Sequence, residues 1–154
     1  MKQSMTIDQL FDRVQGAWDE ARGERAMPAR GDIDPIKLGP ALRHVTVIDV
    51  VAGDPIDFRY RVLGEQVIQA YGSNITGQLH TDIADRSAPA WPFYEAYVNC
   101  VTTHRMQSFD IQYRNHNKVL SNAKGRVWPL SEDGRTVSGL LGACMFFVPQ
   151  TISA

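Results

Sequence analysis

Apolar residues first recur at helical spacing at Ile7, Leu10, Phe11, Val14 and Trp18, with Asp8, Asp12, Arg13, Asp19 and Glu20 on the other side. This pattern predicts an amphipathic helix running to about Arg22. Thr6-Ile7-Asp8-Gln9 reads as a capping box at its start. Residues 23–31 form a turn-rich connector containing Met27-Pro28-Ala29-Arg30. Asp34-Pro35 then offers an N-cap followed by proline at the first helical position, and Ile36, Leu38 and Leu42 suit one or two turns. From residue 44 to 51 the chain is heavily β-branched, which favours a strand. Gly53-Asp54-Pro55 makes a turn into a second strand, in which Phe58, Tyr60 and Val62 alternate with Arg59, Arg61 and Leu63. The two strands are expected to pair as an antiparallel hairpin.

Gly64 ends the hairpin. Val67, Ile68 and Tyr71 mark a short helix, and Gly72 suits the left-handed residue just past its end. Residues 78–86 are short and polar, with Leu79 and Ile83 pointing in. A longer helix follows over residues 88–104, its apolar stripe made by Phe93, Tyr94, Tyr97, Val98 and Val101. Strands are predicted over residues 106–114, 119–130 and 137–148, separated by Asn115-His116-Asn117 and Ser131-Glu132-Asp133-Gly134. The order is helix, two strands, short helices, one long helix, three strands. It predicts an α+β fold: a five-stranded antiparallel sheet with helices on one face, preceded by an amphipathic helix. The chain divides into residues 1–31, helix and connector, and residues 32–150, the sheet domain.

Composition narrows the function classes. Hydrophobic residues make up 44% and charged residues 21% of the 154, and the net charge is −1. A chain of this kind buries a real core and exerts no overall pull on nucleic acid or an anionic membrane. No apolar run approaches the roughly 20 residues of a spanning helix. A cytosolic location is expected, with no nucleic-acid and no membrane partner. Cys100 and Cys144 are far apart and read as buried thiols.

A set of residues occurs in order along the chain: Trp18 with Arg22-Gly23, Met27-Pro28-Ala29-Arg30, Asp32-Ile33-Asp34-Pro35, Ile48-Asp49-Val50, Phe58-Arg59-Tyr60-Arg61-Val62-Leu63-Gly64, Gly72, Thr76-Gly77, Pro129-Leu130-Ser131 and Asp133-Gly134. Together they resemble the PAS domain, and in particular the small single-domain PAS-like proteins of alphaproteobacteria. Glu65 departs from the pattern, which has Thr after the strand-ending glycine. The resemblance implies a PAS-like sheet with a helical layer and a sensory or protein-interaction module without a general cofactor. The light-sensing branch needs a Cys between residues 65 and 86, and there is none. Haem-binding members use a His in the long helix; His104 stands only at its end. No cofactor is therefore expected.

Other candidate chemistry is thin. Gly72 and Gly77 have P-loop spacing, but Gln78-Leu79 stands where Lys and Ser/Thr are required. His44, His80, His104 and His116 are dispersed without metal-ligand spacing. No Ser-His-Asp or Cys-His spacing is evident. The mild basic excess over residues 105–135 reads as a solvated sheet face. In a PAS-like arrangement Tyr71, Trp91, Tyr94, Tyr97, Tyr113 and Trp128 are candidate walls of a cavity between helices and sheet, or else they fill the core. Leu10, Phe11, Val14 and Trp18 either cap the chain's own domain or meet a second copy in a homodimer. Arg59 and Arg61 are expected to pair with Asp49, Asp32 or Asp34 and fasten the connector to the sheet.

The expected function is a non-enzymatic sensory or regulatory module with a separate signalling partner. Two alternatives stand beside it. One is a ketosteroid-isomerase-like enzyme with Asp110 as buried base. The other is an interaction protein with a filled core.

Overall fold

The computed structural model describes residues 4–83 and 91–147, with Trp91 described by its backbone alone. Helix α1 (Ile7–Arg22) begins with the expected capping box: Gln9 N–H donates to Thr6 Oγ1, and Thr6 N–H donates to Gln9 Oε1. Helix α2 (Pro35–Leu38) is capped by Asp34, whose carboxylate accepts from Ile36 N–H at 2.9 Å. A 3-10 segment, Gly39–His44, carries the chain into the sheet.

The strands are β1 (Val45–Val51), β2 (Asp57–Leu63), β3 (Gln107–Arg114), β4 (Leu120–Leu130) and β5 (Gly139–Phe147). The sheet is antiparallel throughout, in the order β2-β1-β5-β4-β3. Between the two halves of the sheet run α3 (Glu65–Tyr71), α4 (His80–Ile83) and α5 (Trp91–Thr103). Gly72 closes α3 in the left-handed region at φ 91°. The long helix was expected from residue 88; residues 88–90 lie outside the described residues, as does residue 148 of the last strand.

Period-two alternation splits the sheet residues between two cores. On one face Ile48, Phe58, Tyr60, Val127 and Leu140 pack with Ile75, Tyr94, Tyr97 and Cys100 of the helical layer. On the other, Val45, Trp128, Leu130 and Leu141 pack under Leu10, Val14 and Ala17 of α1. Leu10 and Val14 are 0% exposed. The apolar face of α1 thus caps the chain's own sheet. Two indoles secure it: Trp18 Nε1–H donates to the Pro129 carbonyl at 2.9 Å, and Trp128 Nε1–H donates to Gln15 Oε1 at 2.7 Å. Arg126 lies over the Phe11 ring at 4.4 Å, where a guanidinium is attracted by the ring face.

One bulge changes the expected facing of β2. Ile48 pairs with Tyr60 but Val47 pairs with Val62, so Arg61 is the extra residue. Beyond it the alternation flips. Val62, expected with Phe58 and Tyr60, turns outward and is 45% exposed, while Leu63 turns inward. Gly64 follows where a Cβ would collide with the carbonyl oxygens of Leu42 and Arg43.

The expected arginine pairings hold only around Asp49. Its carboxylate binds Arg61 Nε closely and Arg30 of the connector at 3.5 Å, so connector and sheet are joined through Asp49. Asp32 instead pairs with Arg25 at 2.8 Å, and Asp34 serves as the cap of α2. Arg59 donates to the Gly77 carbonyl at 2.7 Å. Chain order suggested Asp32 and Asp34 for the arginines, but local turn geometry uses both. The Arg61–Asp49 pair is half-exposed on the arginine side, and such pairs contribute only about 0–1 kcal/mol.

Candidate functional site

Between the helical layer and the inner sheet face lies a cavity of about 80 Å³. Its floor is sheet: Thr46 and Ile48 of β1, Tyr60 and Leu63 of β2, Val127 of β4, and Gly142, Cys144 and Phe146 of β5. Its roof is Val67 and Tyr71 of α3, Ile75, His80 and Ile83, and Phe93 and Tyr97 of α5. Phe109 and Tyr113 of β3 complete it.

His80 is set in this wall by its neighbours. Gly77 N–H donates to the Tyr60 carbonyl at 2.6 Å, and Tyr60 N–H to the Gln78 carbonyl at 3.1 Å. The segment before α4 is thereby stitched to the outer edge of β2, and that sheet edge is covered. Thr81 then binds the Asp57 carboxylate through both its N–H and its hydroxyl. His80, between these anchors, is 1% exposed. Its Nδ1 lies 2.8 Å from Tyr60 Oη, which is 3.3 Å from Tyr97 Oη. The imidazole stacks on Tyr94 and meets Tyr97 edge-on at 5.6 Å. Burial pushes the Tyr60 and Tyr97 phenols well above the usual range, so both remain neutral hydroxyls.

Of the expected wall residues, Tyr71, Tyr97 and Tyr113 line the cavity. Tyr94 stands behind the wall, its ring against Phe58 at 5.5 Å and its hydroxyl donating to the Ile56 carbonyl at 2.5 Å. Trp128 is on the opposite face of the sheet, beneath α1. It shares strand parity with Leu130, whereas Val127 shares parity with the cavity. The side chain of Trp91 lies outside the described residues. Sequence reasoning passed over His80 and Tyr60 as cavity residues. His80 stands three residues before the inward Ile83, a spacing that shares one helix face.

Asp110 is not the buried acid of an isomerase. It lies on the outward side of β3, accepting from Asn122 at 2.9 Å with Lys124 at 3.9 Å. No carboxylate lines the cavity among the described residues. Nor do those residues gather three or more His, Cys, Asp or Glu into a metal site. His104 is exposed beyond the end of α5 at φ 59°. No helix among the described residues is long and apolar enough to cross a membrane.

Comparison with known proteins gives one sequence match and a group of structural ones. A family model described as "PAS domain" matches residues 4–144. No curated protein matches. The fold is similar to the PAS domain of a protein from Colwellia psychrerythraea, at 11% identity and a TM-score of 0.56, covering 76% of this chain and all of that one. It is also similar to the Rhodobacter sphaeroides LOV protein, at 10% identity and 0.53, covering 92% and 68%. A third is the light state of the blue-light photoreceptor Aureochrome1 LOV, at 12% and 0.53, covering 71% and 84%. At these identities the likeness is one of fold.

The present residues do not fit a flavin. The segment over residues 65–86 holds no cysteine. Cys144, the thiol in the cavity wall, sits on the sheet, and burial pushes its pKa up, away from the reactive thiolate. The cavity is also far smaller than the roughly 300–1,000 Å³ of sites for drug-sized ligands.

Proposed function

Since the chain belongs to the PAS domain family, we propose that it is a non-enzymatic sensory module whose signal is a small molecule in this cavity. The observation that carries this reading is the wall: aliphatic and aromatic groups from both layers, with the Tyr60–His80–Tyr97 hydroxyl and imidazole group buried within it. Apolar walls with a few placed polar groups suit ligand recognition. The arrangement also supports an output route. Val127, Gly142 and Cys144 face the cavity, while Trp128 and Leu141 on the same two strands face α1. A ligand that prefers one spacing of β4 and β5 biases the docking of α1. It does so only by the difference in its affinity for the two states. Undocking uncovers Leu10, Phe11, Val14 and Trp18 for a second copy or for a separate signalling protein, in a cytosolic setting.

The test is a small-molecule thermal-shift screen of the full chain. Hits are followed by hydrogen exchange of α1 amides and by native mass spectrometry. A compound that raises the melting temperature and alters both α1 exchange and assembly supports the module. Binding with α1 and assembly unchanged removes the output route. A screen without binders leaves the filled-core interaction protein. That second reading is favoured by the tight ring contacts of Phe58 with Tyr97 at 5.2 Å and of Phe93 with Phe109 at 5.4 Å.

A further inference from the structure

The chemistry of the wall restricts what the cavity accepts. No Asp, Glu, Lys or Arg lines it among the described residues. A charged group brought inside would lose its hydration without gaining a counter-charge. The size is equally restrictive. An apolar cavity of about 150 Å³ in another protein holds benzene, and this one measures about 80 Å³.

One polar atom in the wall is distinctive. Tyr113, 2% exposed, projects from β3 with its ring edge-on to Phe93 at 5.4 Å and to Phe146 at 6.0 Å. Its hydroxyl makes no hydrogen bond of regular geometry, although Ser121 on β4 comes close. Burial pushes this phenol well above its usual range, so it is a neutral O–H that can both donate and accept. A buried hydroxyl in this condition gains from any oxygen placed within reach. The Tyr60 hydroxyl, by contrast, is already engaged with His80 and Tyr97.

Building on the sensory reading above, we propose that the ligand is a small uncharged oxygenated molecule, a short-chain alcohol or ketone of about three to five non-hydrogen atoms. Its oxygen bonds the Tyr113 hydroxyl and its carbons lie against the apolar wall. The floor can be filled to check the location. A methyl added at Gly142 meets Val127 and Thr46 at 3.6–3.7 Å, which is ordinary contact.

The experiment is an NMR titration of full-length protein carrying labelled Ile and Val methyls and labelled tyrosine Cζ. The probes are 2-butanone and 1-propanol, propionate and propylammonium as charged counterparts, and xenon as a purely apolar one. The expected result is saturable shifts at Ile48, Val67 and Val127 with the neutral oxygenated probes and none with the charged ones. The Tyr113 Cζ resonance moves with 2-butanone and not with xenon. Tyr113→Phe weakens 2-butanone binding roughly three- to tenfold while xenon binding is kept, and Gly142→Ala weakens both. Binding of xenon with no binding of 2-butanone, or equal binding of propionate, overturns the ligand class and leaves the cavity as a binding site. A still Tyr113 Cζ resonance, or an unchanged affinity in Tyr113→Phe, overturns the anchor. If no probe, xenon included, shifts a cavity methyl, both this proposal and the sensory reading fall.

Discussion

At the scale of single residues, Asp133 gives the clearest pH dependence. Its carboxylate accepts from Thr136 N–H and Arg135 N–H, each at 2.8 Å, and from the Ser131 hydroxyl at 3.1 Å. These bonds, the backbone ones first, hold its pKa down to about 2 from an ordinary 3.8. A carboxyl depressed in the folded state stabilises it above the unfolded pKa, and the contribution is lost as pH falls through the folded one. Urea midpoints measured from pH 4.5 to 2 are expected to fall more steeply for the native chain than for Asp133→Asn. Parallel slopes would mean the turn gains nothing from the charge. Residues such as Asp133 and Thr6 are legible in the sequence because their partners lie within three positions. His80 was not, because its partners Tyr60 and Tyr97 lie on other elements, one on a strand before it and one on a helix after it in the chain. Trp128 was misassigned for a related reason. Aromatic character marks burial, but it does not say on which side of a sheet the ring is buried.

At the scale of elements, α1 is as much part of the core as any strand. Leu10 is fully buried among residues of β1, β4 and β5. Leu10→Ala is therefore expected to cost about 2–5 kcal/mol, read as a lower denaturant midpoint at unchanged slope. A change within a few tenths of a kcal/mol would show that α1 is already loosely held. The existence of all five strands was legible from period-two patterning and turn residues. The β2 register was not, since a bulge adds one residue without leaving a mark in the polar-apolar alternation. The candidate cavity was legible to the extent that Tyr71, Tyr97 and Tyr113 carry helix and strand periodicity pointing the same way.

At the scale of the whole molecule, the sheet is a partition with an unlike chamber on each side: a small cavity under α3 to α5, and a close-packed face under α1. Purified protein is expected to show only aromatic absorbance. A stoichiometric flavin band after extensive washing would contradict the misfit of flavin to this cavity, and a Soret band would contradict the absence of a haem ligand implied by the place of His104 beyond α5. The strand order has a separate consequence, which lies in synthesis. Among the described strands, the β1–β2 pair and the β3–β4 pair are joined through β5, which follows both of them along the chain. A nascent chain stopped before residue 139 therefore holds two hairpins with nothing between them. Burial of Trp128 and docking of α1 both await the arrival of Leu141, so β5 must leave the ribosome before either chamber exists.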